Sequence, residues 1–279
     1  KGEIPKNIRQ LSPSKDAREI KYFSRINEDI KKKFVHQGNQ SKLTHHMNLE
    51  KGGPVGSGAE VGKIWHRILK KYIDNPEQHG DGAGEAVIKA LQSEGNIVKD
   101  IKFLQTEFPL YGFISDKETL EISFWNGNAD AIGWFDDRYV IVDWKAVDLL
   151  LFWEKNKHAY GDYLHQCLVY ARLLQLHLGL DELPHILIVP ISNKTGKEIH
   201  PAMFNNVPDE CKNEIQLYNW SKVPISVTKK IKNWMVKDAF KNSDVPDDTK
   251  VQDVFNDDVT VRQLLDALTS KLTGLKVED

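Results

Sequence analysis

Cysteine is the scarcest chemistry here, with only Cys167 and Cys211 in the whole chain. Two thiols exclude a disulfide framework and any four-cysteine zinc or iron–sulfur centre within this chain, and a reducing, intracellular compartment is expected. An excess of charge is missing too: 38 Lys and Arg face 40 Asp and Glu, a net charge of −2. The chain as a whole therefore gives no electrostatic signal for nucleic acid. No apolar run approaches the roughly 20 residues that span a bilayer, so a soluble protein without membrane contact is expected. Nor is there a Walker A loop in the glycine-rich stretch before residue 62. Gly56 and Gly62 are too far apart, Gly58 and Gly62 too close, and Ile64 follows Lys63 where a hydroxyl residue is required.

What remains is an ordinary globular composition, 40% hydrophobic and 28% charged over 279 residues, enough to bury a large core. Three segments are expected: a basic, partly helical stretch over 1–56, a core over 57–204, and a helical extension over 205–279. The first 33 residues carry ten Lys and Arg against five acids. A polyanion-binding arm and a solvated basic segment both fit that skew. Lys1 opens the chain in place of methionine, so a targeting segment, if there is one, is expected ahead of it.

Periodicity predicts a helix after the glycine-rich loop, capped near Ser57, with Val61, Trp65, Ile68 and Tyr72 on its apolar face and Asn75-Pro76 at its end. A short helix is expected over 86–92. Strands are expected over 103–111, 120–135 (with a bulge at Gly127) and 139–145. A helix over 158–178 follows, its stripe built on Leu164, Leu168, Ala171, Leu174 and Leu178. The apolar run 185–190 reads as a buried strand, with 198–204 beside it. A linker at 242–250 and an amphipathic helix over 259–275, a candidate protein-docking element, end the chain. The fold class is α/β (α+β): a small central mixed sheet flanked by helices.

The most informative residues lie between Asn126 and Lys145, NGNADAIGWFDDRYVIVDWK. Asp130 falls in one apolar run, Asp143 and Lys145 end the next, and Asp136-Asp137-Arg138 turns between them. Asp-x-Lys alone is commonplace in this chain. What distinguishes Asp143–Lys145 is the preceding Tyr139-Val140-Ile141-Val142, a buried strand whose period of two points both charges to one face. Burying such charge is costly unless it is paired or holds a metal. Antiparallel pairing brings Asp130 to Asp143 only if the register allows it. Hard oxygen ligands suit Mg²⁺ or Mn²⁺, and a neighbouring lysine can orient a water or offset charge on a phosphodiester. A salt-bridged strand end, Asp143 with Lys145 or Arg138, is the simpler use of the same residues.

Asn128-Ala129-Asp130 followed by Asp143-Trp144-Lys145 resembles the PD-(D/E)XK nuclease signature. Gln166-Cys167-Leu168-Val169-Tyr170 resembles the Gln-x-x-x-Tyr helix of its RecB-like exonuclease branch, and His66 in Gly62-Lys63-Ile64-Trp65-His66 resembles that branch's upstream helix. The order His66, Glu107, Asp130, Asp143/Lys145, Gln166/Tyr170 matches over residues 57–190. Within the branch the chain is most similar to mitochondrial genome-maintenance exonucleases, which likewise lack the cysteine cluster of several relatives. The resemblance implies a DNA exonuclease preferring single-stranded ends, located in the mitochondrion or nucleus. It implies metal ligation by His66, Asp130, Asp143 and the backbone carbonyl of Trp144, with Mg²⁺ or Mn²⁺ as cofactor. Lys145 would assist the attacking water, Asp143 and Lys145 serving the reaction and not the core. Glu107, at the edge, and Gln166 and Tyr170 would support the site or contact DNA. A structure-dependent endonuclease and a non-catalytic nucleic-acid-binding module are the alternatives. Trp125, Trp134, Trp144 and Trp153 are candidates for stacking on bases, with a core role the simpler reading. His45-His46 are expected in a loop.

Overall fold

The computed structural model describes residues 9–13, 39–40, 58–75, 91–92, 97–115, 122–147, 159–192, 202–204, 207, 209–213 and 216–217. The proposed Ser57 cap, most of the 86–92 helix, Trp153, His45-His46, the 242–250 linker and the 259–275 helix lie outside these residues. The elements are β1 (Arg9–Leu11), β2 (Asn39–Gln40), α1 (Gly58–Asp74), β3 (Lys102–Ser115), β4 (Ile122–Phe135), β5 (Arg138–Val147), α2 (Ala159–Leu178), β6 (His185–Ser192), β7 (Ala202–Phe204), α3 (Asp209–Asn213) and β8 (Gln216–Leu217). One mixed sheet of eight strands runs β2-β7-β6-β5-β4-β3-β8, with β1 paired to β4. The expected α+β architecture is present. Strands from all three sequence segments enter the same sheet, β1 and β2 from the first and β8 from the last.

The centre follows from alternation. In β5, Val140, Val142 and Trp144 pack with Val61, Trp65 and Leu69 of α1, while Ile141 packs with Leu164, Leu168 and Leu174 of α2. Each helix therefore covers one face of the sheet. Helix α1 has one buried stripe and ends with Asn75 N–H donating to Lys71 O at 3.0 Å, just before Pro76. Helix α2 is apolar nearly all round, and Gly179 ends it at φ 64°, which glycine adopts without a Cβ clash. Strands β5 and β6 are parallel and joined through α2, the usual crossover.

The β4–β5 hairpin turns on Asp136 and Asp137 alone, both left-handed at φ 48° and 57°; Arg138 already belongs to β5. Two left-handed turn residues are what a tight hairpin between right-twisted strands requires, and Asp tolerates that backbone better than most side chains. Gly127 is no bulge: β4 pairs regularly there, with Leu110 opposite. The register shift lies in β3, between Phe103 and Gln105. A Cβ at Gly127 would stand 3.1 Å from both Tyr170 Oη and Pro13 Cδ, so this glycine lets the Tyr170 ring lie against the strand.

Candidate active site

Strands β4 and β5 pair from Phe135↔Arg138 to Ala131↔Val142 and then part. One more step in that register sets Asp130 against Asp143, as the sequence required for the two carboxylates to meet. Beyond the fork, β5 continues along β6, with Trp144 opposite Val189. The Trp144 N–H, no longer facing a β4 carbonyl, donates instead to Asp130 Oδ2 at 2.8 Å. His66 Nε2 lies 3.1 Å from Trp144 O, and His66 Nδ1 lies 3.3 Å from Asp130 Oδ1. Side chains thus take over the backbone groups that the ladder gives up.

A second irregularity sits at the same level. Thr106 in β3 reaches α1, whereas Phe108, two residues on, packs with α2. In β4, Ala129 packs on the α2 side and Ala131 on the α1 side. Both strands break their alternation, at Glu107 and Asp130. The pairs Thr106↔Ala131 and Phe108↔Ala129 set these two residues opposite each other. Glu107 carries φ 48°, a left-handed backbone costing an L-residue about 1–2 kcal/mol. Strain of this kind gathers at functional sites. Its consequence is that His66, Glu107 and Asp130, all half-buried, bring one ligand atom each within 4.8 Å of one another. One imidazole and two carboxylates are a fitting donor set for Mn²⁺ or Mg²⁺.

Asp143 is not one of those three. It is 1% exposed and paired with Lys145, whose Nζ lies 2.9 Å from Oδ1 and 2.8 Å from Oδ2. The Oδ2 contact is an ion pair without hydrogen-bond alignment, so a buried carboxylate oxygen keeps an unshared lone pair. That orphaned oxygen is a second mark of a site fit for a cation. Lys145 also donates to Gln166 Oε1 at 3.3 Å and sits 4.9 Å above the Tyr163 ring. Gln166 bonds to Tyr170, itself 3% exposed. Tyr163, Gln166 and Tyr170 lie at i, i+3 and i+7, one face of α2. Every site residue read from the sequence is therefore drawn to the fork. Glu107 moves from its edge into the triad, and Asp143 turns inward to Lys145.

Burial and charge set the protonation. Burial pushes Asp143 up to about 6, against the pull of Lys145 and with a further push from Asp130. Burial alone would lower Lys145, but Asp143 and Asp130 outweigh it and hold the ammonium well above its usual range. For His66, burial works downward, and the hydrogen bond and charge of Asp130 carry it above 6.5. Glu107 is raised by burial and by Asp130, with His66, Lys70 and Asn128 opposing. Burial and the two aspartates raise Tyr170 far enough to keep its phenol neutral.

Three features escaped the sequence reading. Tyr163 lies beneath Lys145. Lys70 donates to Asp74 at 2.8 Å and Thr106 at 3.0 Å, and Thr106 donates to Asp74 at 2.7 Å, tying α1 to β3 beside Glu107. Lys70 and Tyr163 stand four and three residues from His66 and Gln166, so helical spacing was the available signal. The third is a half-open cavity of about 260 Å³, lined by Leu69, Tyr72, Leu91, Phe103 and Trp144 among others. It is largely apolar and holds none of the acids of the fork. Trp144, 3% exposed, and Trp125, fully buried, are core residues, and Trp134 packs edge-on against Tyr139.

No family model and no curated protein matches this sequence. Among solved structures, the chain is similar to the protein SSO0001, at 13% identity over 75% of this chain and 74% of that one, with a TM-score of 0.36. It is also similar to a candidate exonuclease from Eubacterium rectale, at 15% identity over 73% of this chain and 81% of that one, again with a TM-score of 0.36. Neither likeness assigns a function to this chain.

Proposed function

We propose that this chain is a divalent-cation-dependent nuclease that hydrolyses phosphodiester bonds in DNA from single-stranded ends. The observation that carries it is the fork between β4 and β5, where His66, Glu107 and Asp130 converge on one side and the buried Asp143–Lys145 pair on the other. His66, Glu107 and Asp130 would hold Mg²⁺ or Mn²⁺, with Asp143 and the Trp144 carbonyl at the border of that shell. A bound cation of this type lowers the pKa of a coordinated water and offsets charge on a phosphate. Asp130 couples this shell to the backbone through the Trp144 N–H, so the shell is tied to β5. Lys145 stays protonated and so acts as a donor, holding a water or a phosphate oxygen; it is not the base. Gln166 and Tyr163 fix where that ammonium points. The DNA substrate and the preference for single-stranded ends rest on the resemblance to RecB-like exonucleases.

The test is digestion of end-labelled linear single-stranded DNA with Mn²⁺, Mg²⁺ or EDTA, beside a closed single-stranded circle. Metal-dependent loss of the linear strand alone is the expected result. Cutting of the circle would mean an endonuclease instead. Binding without cutting under any metal would leave a nucleic-acid-binding module and sink the nuclease reading.

A further inference from the structure

The solvent face of α1 is cationic. Lys63, Arg67 and Lys71 follow one another at i, i+4 and i+8, all exposed, in a row about 12 Å long. Among the described residues none of the three side chains has a hydrogen bond or an ion pair. The acids on this face are committed elsewhere: Asp74 to Lys70 and Thr106, and Glu60 to a partner of its own. In a chain of net charge −2, a local row of three uncompensated cations stands out. Its position matters more than its charge. His66 lies three residues after Lys63 and one before Arg67. Lys70, one turn beyond His66, is pinned by Asp74 and Thr106 next to Glu107. Cations thus border the acid cluster where a polyanion would otherwise be repelled by Glu107 and Asp130.

We propose that this face of α1 is the track along which the sugar–phosphate backbone of a single-stranded nucleic acid lies as it enters the cluster. Lys63, Arg67 and Lys71 pair with successive phosphates, and Lys70 marks the point of entry. The inference rests on the nuclease reading for what happens at the end of the track. The binding itself does not require cleavage. A row of phosphate contacts carries no base information, so recognition is by backbone charge and indifferent to sequence.

The test measures binding of a labelled single-stranded oligonucleotide of mixed sequence in EDTA across a range of salt. It compares the wild type, the triple variant Lys63→Gln/Arg67→Gln/Lys71→Gln, and Lys102→Gln. Lys102 is an exposed lysine at the start of β3, away from the fork. Each phosphate contact contributes about 0.7 to the slope of log K against log salt for single strands, so the triple variant is expected to lose about 2 from that slope. Lys102→Gln is expected to leave it unchanged, and the melting temperature is expected to stay put for both. A wild-type slope in the triple variant would overturn the proposal. So would an equal loss per charge from Lys102→Gln, which would reduce the effect to net charge. A slope change in a chain that cuts nothing would keep the track and remove the nuclease reading; an unchanged slope in an active nuclease would do the reverse.

Discussion

The two ends of the β4–β5 hairpin are built from the same materials and used in opposite ways. At the turn, Asp136 and Asp137 close the ladder in a left-handed pair, and Arg138 bridges to Glu182, which is 63% exposed. Charge there faces water and costs little. At the fork, two aspartates thirteen positions apart face each other with Lys145 behind them, and Asp143 is only 1% exposed. Removing ions from water costs several kcal/mol each before pairing returns any of it. A protein that needed only stability would fill this position with apolar side chains. The difference between the ends teaches that the informative acids are those a fold keeps buried at a place where its ladder fails.

That contrast can be broken most sharply at Asp130. Asp130→Asn keeps the shape and a carbonyl oxygen for the Trp144 N–H while removing the charge. We expect cleavage to fall by about a hundredfold or more, with an unchanged melting temperature. Wild-type turnover would remove Asp130 from the machinery. The next effect is on stability. Lys145→Ala leaves a buried carboxylate without its partner, and chemical denaturation should report a loss of about 3–5 kcal/mol. The expectation that Lys145→Ala would leave the fold intact meets a buried partner here, since Asp143 is 1% exposed and paired with a half-buried Lys145. At the other end, Glu182→Ala should cost about 0–1 kcal/mol by the same measurement. Equal losses would erase the distinction between the ends.

Gly127→Ala sharpens the comparison from within the strand. The added methyl meets Tyr170 and Pro13 at 3.1 Å, so a loss of about 1–3 kcal/mol is expected, with the Tyr170 ring displaced. A neutral result would mean the ring has room to move.

The smallest effect separates the two ends by the sign of a pH dependence. His66 at the fork is raised, so its contribution to stability is present below 6.5 and lost as pH rises through its higher folded value. His185 near the turn is lowered, chiefly by burial and by Arg138. Its unfolded form binds the proton more readily, so its contribution is present above 6.5 and lost as pH falls below it. Stability against pH for His66→Gln and His185→Gln in the metal-free protein should therefore deviate from wild type in opposite directions. Deviations of the same sign would contradict the environments described. Mn²⁺ affinity should also rise with pH through the folded value of His66, because a ligating imidazole must be neutral.

Much of the site was legible in the sequence because its residues sit on regular elements. The apolar run Tyr139–Val142 located a buried strand, and period two then placed Asp143 and Lys145 on one face. Helical spacing put Gln166 and Tyr170 together. Glu107 was placed at the edge because a left-handed glutamate inside a strand has no sequence signal; its backbone is imposed by pairing to β4. Gly127 was misread as a bulge for a similar reason. Its role is to clear space for Tyr170, forty-three residues away, and no local pattern records that contact. Strands β1, β2 and β8, two or three residues each, fell below any periodic window and exist because an edge of the sheet was open to them.

By itself, then, the sequence determined the central strands, the two covering helices and the identity of the chemically capable residues, since alternation and helical spacing are properties of neighbouring positions. The tertiary structure decided the register that sets Asp130 against Asp143 and the parting of β4 from β5 that frees the Trp144 backbone. It also decided the reversal of facing at Glu107 and Asp130 and the choice of three residues for the cluster. Those depend on which strands meet and where they separate, and the free energy that fixes them comes from packing against α1 and α2 rather than from any segment alone.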